Sequence, residues 1–202
     1  MINPLTPKLF ISRITIMREK AKLRRELFGI IKKNAYSEGR FVLSSGKTSD
    51  YYIDCRKVTL ASRGVYLSGL LILDIIRNKK IDAIGGPTIG ADPIVGAILA
   101  LSLTEYKKHL KGFLVRKSAK SHGLGRQVEG PKLNKGARLV VIDDVATTGG
   151  SLVETISCLR QQGLRVDSVI VLVDRNEGAK EKLKKVNCKF TSLFNIREFK
   201  SR

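Results

Sequence analysis

The chain is poor in the residues that build metal and disulfide sites. It has two histidines and three cysteines among its 202 residues, and no tryptophan. Two histidines exclude a histidine-rich metal site. Cys55, Cys158 and Cys188 are far apart, odd in number and not in a metal-ligand spacing. Such cysteines are typical of reduced thiols in a cytoplasmic protein, and we assign them no chemistry.

Long apolar runs are also absent. No run approaches the roughly 20 residues that a membrane-spanning helix needs, which predicts a soluble protein with no membrane partner. With 43% apolar residues, the chain can bury one substantial core. Residues 1–17 are basic and contain two prolines, and helical periodicity begins only near residue 18. We therefore predict a flexible basic arm, or an incorrectly assigned start with Met17 as initiator, ahead of a single domain over residues 18–202.

Acidic residues are scarce. The chain has 18 aspartates and glutamates and 38 lysines and arginines, which gives a formal net charge of +20. The cations are scattered in pairs such as Lys32-Lys33 and Lys184-Lys185, which usually form solvated surface near helix ends. Aromatic residues make up 6% of the chain and do not alternate with the cations, as stacking platforms for nucleic acid would. We therefore expect the charge to attract polyanionic small-molecule substrates rather than a nucleic-acid partner.

Strand-like and helix-like segments alternate along the chain. Strand patterns occur at residues 41–43, 51–57, 82–85, 113–116, 138–143 and 168–174, and helical patterns at 18–35, 62–78, 92–106 and 151–162. Ser62, and Asp92 followed by Pro93, are typical of helix N-termini. The alternation predicts an α/β fold with a doubly wound parallel sheet, in which ligands bind at the carboxyl ends of the strands.

The most informative segment is LVVIDDVATTGGS at residues 139–151. An apolar strand ends in Asp143 and Asp144, and a turn of small and hydroxyl residues leads into an amphipathic helix. The turn and the helix N-terminus can bind a phosphate through backbone N–H groups. The carboxylates can hold ribose hydroxyls, directly or through a hydrated Mg²⁺. The pattern predicts a site for a phosphorylated sugar. The alternative is an ordinary strand–helix turn, in which two buried carboxylates would be costly.

Residues 117–135 form a long polar segment without periodicity, which indicates a functional loop. Arg116 precedes it, and Lys117, Lys120 and His122 lie near its start. Cations and a histidine on such a loop can close over a departing anion, neutralise its developing charge and exclude water. A solvated basic loop is the alternative.

Four segments resemble one enzyme family. Residues 143–151 resemble the 5-phosphoribosyl-1-pyrophosphate (PRPP) binding motif of type I phosphoribosyltransferases. The pattern R-K-x-x-K-x-H-G at 116–123 is similar to the catalytic loop of the orotate phosphoribosyltransferases. Residues 41–54 resemble that family's N-terminal segment, and residues 85–93 resemble its pyrophosphate-contacting loop.

The resemblance covers about residues 24–197. It implies the type I phosphoribosyltransferase fold with a small N-terminal hood, built from about residues 18–60 and a C-terminal segment. The implied reaction converts orotate and PRPP to orotidine 5′-monophosphate and pyrophosphate in de novo pyrimidine (UMP) biosynthesis. The resemblance also implies Mg²⁺ carried by PRPP with no metal fixed by the protein, and a homodimer whose catalytic loop, 117–135, reaches the neighbour's active site.

The resemblance assigns roles to individual residues. The residues that stabilise pyrophosphate are Arg116, Lys117, Lys120 and His122. Asp143 and Asp144 hold the ribose and, with Lys120 and His122, are the predicted catalytic residues. The remaining PRPP-binding residues are Val145, Ala146, Thr147, Thr148, Gly149, Gly150 and Ser151. The residues that contact orotate are Thr147, Arg175, Tyr52 and Ile53.

The chain departs from one bacterial subgroup at two positions. Ser44 and Gly90 stand where that subgroup has lysines near the substrates, which puts in doubt any role for a cation there. Two other functions remain as alternatives. A purine phosphoribosyltransferase would lack the loop that carries Lys120 and His122. A regulatory protein of the same fold that senses PRPP and binds nucleic acid is supported only by the +20 charge.

Overall fold

The computed structural model describes residues 7–42, 46, 48–117 and 127–200, with side chains from residue 19 onward. The elements, in chain order, are α1 (Pro7–Asn34), β1 (Tyr36–Val42), β2 (Thr48–Ile53), α2 (Arg56–Thr59), α3 (Ser62–Ile76), β3 (Ala83–Pro87), α4 (Ala91–Thr104), β4 (Lys111–Val115), β5 (Val128–Glu129), β6 (Arg138–Ala146), α5 (Gly150–Gln161), β7 (Arg165–Asp174), α6 (Ala179–Lys185), β8 (Lys189–Asn195) and a short 3₁₀ helix (Ile196–Glu198). No helix in these residues has both the length and the apolar character needed to cross a bilayer.

The main sheet has six strands in the order β5-β4-β3-β6-β7-β8. All neighbouring pairs are parallel except β4 and β5. The direction of strand addition reverses between β3 and β6, so the switch point of the sheet lies between these two strands. In an open α/β sheet, ligands bind in the crevice outside the carboxyl ends of the strands at this point. The predicted α/β fold with a parallel sheet is confirmed.

Helices cover both faces of the sheet and create two cores. Successive residues of β6 alternate between them, because side chains along a strand point to opposite faces. Val140 and Ile142 belong to the core that contains residues of α1, α3 and α4, whereas Leu139 and Val141 belong to the core with α5 and α6. The near-continuous apolar sequence of β6 is what a strand buried on both faces requires.

A smaller layer joins the two ends of the described chain. β1 and β2 form a separate antiparallel pair. The ring of Phe28 in α1 stacks on Phe199 with centroids 4.7 Å apart. Arg24 Nη2 donates to the Leu193 carbonyl at 2.9 Å and to Glu198 Oε2 at 2.7 Å. These contacts support a hood that combines N-terminal and C-terminal segments, and its exact limits stay a prediction.

Several predicted boundaries were wrong. α1 begins at Pro7 rather than near residue 18, because proline is well suited to the first position of a helix, where its missing N–H is not needed. Ser62 and Asp92 are not N-caps. Ala61 and Gly90 precede α3 and α4, and neither helix start has a side-chain cap. The strand predicted at 51–57 ends at Ile53.

Five short elements were not predicted, and two of them are the four-residue α2 and the three-residue 3₁₀ helix. β5 pairs antiparallel with β4 inside the segment expected to lack regular structure. α6 has seven residues and buries only Ala179 and Leu183, so it shows little periodicity. β8 follows it and adds the outermost parallel strand beside β7.

Candidate functional site

A cavity of about 220 Å³ lies at the switch point. It brings together the carboxyl ends of β3, β4 and β6 with the first turns of α5. Its lining residues are Pro87, Thr88, Val115, Arg116, Lys117, Gln127, Asp143, Ser151, Glu154 and Thr155. The cavity therefore brings together four predicted site residues from separate parts of the chain: the cations Arg116 and Lys117, the carboxylate of Asp143 and the hydroxyl of Ser151.

Asp143 and Asp144 lie near the end of β6, and Asp143 is 8% exposed. Asp144 N–H donates to Asp143 Oδ1 at 2.9 Å, and Val145 N–H donates to Asp144 Oδ1 at 2.8 Å. Burial and then the charge of Asp144 raise the pKa of Asp143 well above its ordinary value. Burial also raises the pKa of Asp144, against the opposing effect of its hydrogen bond from Val145. Two carboxylates held this way favour a ligand that donates hydrogen bonds or carries positive charge.

The turn after β3 approaches this pair from the neighbouring strand. An ideal Cβ placed on Gly90 would lie 2.5 Å from Asp144 Oδ1 and 2.6 Å from Asp143 Oδ1. Any side chain here would therefore displace the carboxylates, which explains in physical terms why a glycine fits this position. Asp92 follows in the first turn of α4, and its Oδ1 is buried without a hydrogen-bond partner among the described residues. Burial raises the pKa of Asp92.

The turn between β6 and α5 is open to a phosphate. Gly149 has φ 77°, in the left-handed region, and an ideal Cβ on it would lie 3.0 Å from Ala179 Cα. No side chain caps the N-terminus of α5, so its first N–H groups have no acceptor from a cap. Thr148 and Ser151 are exposed, and Thr147 and Gly150 are half-buried. Val145 and Ala146 are the end of β6, so the predicted phosphate loop divides between strand, turn and helix.

The two ends of the predicted catalytic loop are joined by hydrogen bonds. Arg116 N–H donates to the Gln127 carbonyl at 2.9 Å, and Gln127 Nε2 donates to the Arg116 carbonyl at 3.0 Å. Arg116 and Lys117 are exposed, and Arg116 Nη1 lies 3.9 Å from Glu129 Oε1. Lys120 and His122, and likewise Ser44, lie outside the described residues, so their roles stay predictions.

Arg175 follows β7 directly beside the phosphate turn. Asp174 pairs with Ala146 in the sheet, and Arg175 N–H donates to the Ala146 carbonyl at 2.9 Å. This register places Arg175 next to Thr147. The arginine is 9% exposed. Its Nε donates to Tyr51 Oη at 3.0 Å and lies 2.8 Å from Glu177 Oε1. The structure therefore brings Thr147 and Arg175 to one place, as the orotate prediction needs.

Tyr52 and Ile53 do not share one surface. Neighbouring strand residues point to opposite faces, and Tyr52 is 38% exposed whereas Ile53 is 7% exposed. Tyr52 lies beside the ring of Phe41, with centroids 5.6 Å apart. Both residues stay predicted orotate contacts, but a ligand in contact with one side of β2 reaches only one of these side chains directly.

Sequence reasoning missed several residues around the site. Tyr51 and Glu177 hold Arg175, although nothing in their local sequence indicates this pairing. Arg56 contacts Asp54 through Nε at 2.8 Å, and its positive charge acts to lower the pKa of Asp144. An arginine two residues after a strand-end aspartate was a usable signal for Arg56. Glu154 and Thr155 line the cavity because they lie one helical turn after the phosphate turn.

The comparisons with known proteins agree with this geometry. A family model described as a phosphoribosyl transferase domain matches residues 65–198, which include the switch point, the carboxylate pair and Arg175. The chain therefore has the fold of a phosphoribosyl transferase.

Individual relatives narrow this class. An orotate phosphoribosyltransferase from Nostoc sp. is 42% identical over 180 residues, which are 89% of this chain and 86% of the relative. The crystal structure of Mycobacterium tuberculosis H37Rv orotate phosphoribosyltransferase with Fe(III) dicitrate aligns with a TM-score of 0.77 and 33% identity, over 89% of this chain and 99% of that chain. A crystal structure of the same enzyme in complex with PRPP aligns with a TM-score of 0.73 and 29% identity, over 88% of this chain and 98% of that chain. The chain belongs to the orotate phosphoribosyltransferase family.

Proposed function

We propose that the protein transfers the phosphoribosyl group of PRPP to orotate, forming orotidine 5′-monophosphate and pyrophosphate in pyrimidine synthesis. The observation that carries this proposal is the buried Asp143, which lines the same cavity as Arg116 and Lys117 and has the half-buried Asp144 next to it. Carboxylates suit the hydroxyl groups of a ribose and the positive charge that develops at its anomeric carbon. Cations suit the 5-phosphate and the pyrophosphate on either side of the ribose.

The ribose is held by Asp143 and Asp144. Oδ1 of each accepts a backbone N–H, which fixes the carboxylate, and a carboxylate has further lone pairs that can accept from a hydroxyl group. As the bond to pyrophosphate breaks, positive charge develops on the sugar, and two fixed carboxylates stabilise it without reorganisation. The reaction then needs positioning and electrostatics and no covalent enzyme intermediate.

The two phosphate ends of PRPP are held by different elements. The 5-phosphate binds to residues 145–151, where the uncapped N-terminus of α5 supplies N–H donors and its positive dipole end. Arg116 and Lys117 stabilise pyrophosphate from the end of β4, together with Lys120 and His122 of the loop that follows. Orotate is oriented by Thr147 and Arg175, with Tyr52 and Ile53 as the proposed contacts of its ring.

Mg²⁺ fits the donor set of this site. Aspartate oxygens are ligands that Mg²⁺ prefers, and a cation would offset the burial and the charge of Asp144 that raise the pKa of Asp143. Asp143 and Asp144 would hold the ion, in part through its water molecules. Among the residues with described side chains, no three His, Cys, Asp or Glu are arranged to hold a metal ion. We propose that PRPP brings the Mg²⁺ ion, whose charge would offset that of the phosphates.

The assembly we propose is a cytoplasmic homodimer with active sites shared between subunits. β4 and β5 lie at one edge of the main sheet, and the loop that carries Lys120 begins and ends there. A neighbouring subunit at this edge could receive the loop in its own site. Nucleic acid is not a proposed partner, because Arg116, Lys117 and Ser151 line one small cavity, which suits a small phosphorylated molecule.

The reaction itself is the first test. We expect purified protein to consume orotate only when PRPP and a divalent metal are present, and EDTA to stop the loss of orotate absorbance. Turnover of adenine or hypoxanthine instead of orotate would indicate a purine phosphoribosyltransferase. Retention on heparin that resists moderate salt, without any turnover, would indicate the nucleic-acid-binding regulator.

Gly90→Ala should lower kcat/KM for PRPP by about tenfold or more. Its Cβ would displace both carboxylates, and a hydrogen bond to a charged group contributes about 1.5–3 kcal/mol, which is roughly a factor of ten or more. Steady-state kinetics with PRPP varied at saturating orotate measures this loss.

The matched control for Gly90→Ala is Gly96→Ala in α4. Gly96 is an exposed helical glycine, and an ideal Cβ on it has no neighbour within 4 Å. This change should keep full activity and raise the stability of the helix slightly. If Gly90→Ala keeps wild-type kcat/KM while its thermal midpoint is unchanged, the carboxylates do not need the positions seen in the structure.

A further inference from the structure

Arg175 is held by two partners on one side of its guanidinium group. Its side chain is 8% exposed, and Nε donates to Tyr51 Oη at 3.0 Å. Tyr51 Oη in turn donates to Glu177 Oε1 at 3.3 Å, and this oxygen lies 2.8 Å from Arg175 Nε. Arg175 Cζ also lies 4.8 Å from the centroid of the Tyr51 ring. The three side chains form a closed cluster, here called the Arg175 clamp.

The partners of Arg175 are themselves fixed. Tyr51 is 5% exposed, and its ring stacks on Tyr36 with centroids 6.0 Å apart. Lys200 Nζ lies 4.9 Å from the centroid of the same ring. Burial raises the pKa of Tyr51, so its phenol stays protonated at neutral pH and donates to Glu177. The clamp is therefore anchored by β1, β2 and the C-terminal segment together.

The clamp leaves one edge of the guanidinium group free. A planar guanidinium can bind a carboxylate or a pair of carbonyls through the edge of Nη1 and Nη2, or through an edge that includes Nε. Tyr51 and Glu177 occupy Nε. The side-chain hydrogen bond of Arg175 within the described residues is made by Nε, and Nη1 and Nη2 are not among the buried nitrogens without a partner. The edge of Nη1 and Nη2 is thus accessible beside Thr147.

We propose that Glu177, through Tyr51, is a positioning residue that aims the Nη1–Nη2 edge of Arg175 at orotate. This inference rests on the proposed function, since it gives Arg175 the orotate-reading role. Arg175 and Tyr51 are separated by 124 positions in the chain, so the clamp exists only in the folded protein. A guanidinium group that is already held in its binding orientation loses less conformational entropy on binding orotate than that of an unrestrained arginine side chain.

The test compares variants of the clamp in steady-state assays with each substrate varied in turn. Glu177→Ala should raise the KM for orotate by about tenfold, because Tyr51 loses its hydrogen-bond acceptor and the cluster no longer fixes Arg175, and should leave the KM for PRPP within about twofold. Glu177→Gln keeps an acceptor for Tyr51 and should restore a KM for orotate close to the wild-type value. Tyr51→Phe keeps the ring and removes the hydroxyl, and should resemble Glu177→Ala.

The double variant and a control complete the design. Tyr51→Phe combined with Glu177→Ala should raise the KM for orotate no further than either single change, because both act on one cluster. Glu181→Ala removes an exposed carboxylate from the nearby α6 and should leave both KM values unchanged. Arg175→Ala removes the reading group itself and should raise the KM for orotate about 30-fold or more, the loss expected when a charged pair is broken.

The outcomes separate the inference from the function on which it rests. If wild-type protein fails to turn over orotate, the proposed function fails. If it turns over orotate and Arg175→Ala raises the KM for orotate, the function and the role of Arg175 stand. In that case, a Glu177→Ala variant that changes neither KM, or raises both equally, overturns the positioning role. A Gln variant as impaired as the Ala variant also overturns it, since then the charge of Glu177 matters and not its place as an acceptor.

Discussion

Asp143→Asn should remove most of the activity while making the folded protein more stable. We expect kcat/KM to fall on the order of 10²- to 10³-fold, as when a preorganised charge-stabilising group is lost. The buried carboxylate is costly without its ligand, and its pKa is raised by burial and by Asp144. An asparagine keeps the oxygen that accepts the Asp144 N–H and carries no charge. The thermal midpoint of the free protein should rise by about 3 °C, roughly 1 kcal/mol for a chain of this size.

The pH dependence of this stability difference has a defined sign. A carboxyl group whose pKa is higher in the folded state binds more protons there, so folding stability falls as the pH rises. The fall begins near the ordinary carboxyl pKa of 3.8 and continues until the folded protein has also lost the proton. The stability gain of the Asp143→Asn variant over the wild-type protein should therefore be small at about pH 4 and grow toward neutral pH. Thermal melts across this range, without PRPP or metal, measure it.

Asp167→Asn is the matched control. Asp167 lies at the opposite end of the sheet, where Arg138 Nη2 contacts its Oδ2 at 2.7 Å, and this arginine lowers the pKa of Asp167. Its loss should leave kcat/KM unchanged and lower the thermal midpoint slightly, the reverse of the first result. A lower midpoint for Asp143→Asn at neutral pH would show that the carboxylate stabilises the free protein, contrary to the electrostatic argument.

The part of the site that could be predicted from sequence is the part that is continuous in the chain. The strand, the pair Asp143 and Asp144, the turn and the helix follow one another, and the structure has them at Arg138–Ala146 and Gly150–Gln161. Each of these elements has a local signal: an apolar run, adjacent acids, glycines and helical spacing. The alternation of strands and helices along the chain predicts a parallel sheet. These residues are then expected at the carboxyl ends of its strands.

The remaining features depend on contacts between distant segments. The approach of Gly90 to Asp143 and Asp144 follows from the packing of two neighbouring strands, which no local pattern encodes. The pairing of Arg175 with Tyr51 spans 124 positions. The caps of α3 and α4 were misassigned because residues such as Ser62 and Asp92 favour several positions of a first helical turn, and the path of the preceding chain decides among them.

Mixing two inactive variants should restore activity if the sites are shared in a dimer. We expect Lys120→Ala and Arg175→Ala each to be nearly inactive when assayed well below the raised KM for orotate. If Lys120 acts in the neighbour's site and Arg175 in its own, a mixed dimer has one doubly damaged site and one intact site. Random exchange at equal amounts makes about half the dimers mixed, so roughly a quarter of all sites should recover. Turnover of orotate after verified exchange measures the recovery.

A second mixture distinguishes shared sites from simple stabilisation by a partner subunit. Lys120→Ala mixed with His122→Ala places both defects on the same loop, so every site of a mixed dimer still receives one damaged loop. This mixture should recover nothing, although its subunits exchange equally well. If the first mixture also stays inactive after exchange, Lys120 and Arg175 serve the same subunit, and the loop closes over its own site. If both mixtures recover, the activity comes from assembly rather than from an intact composite site.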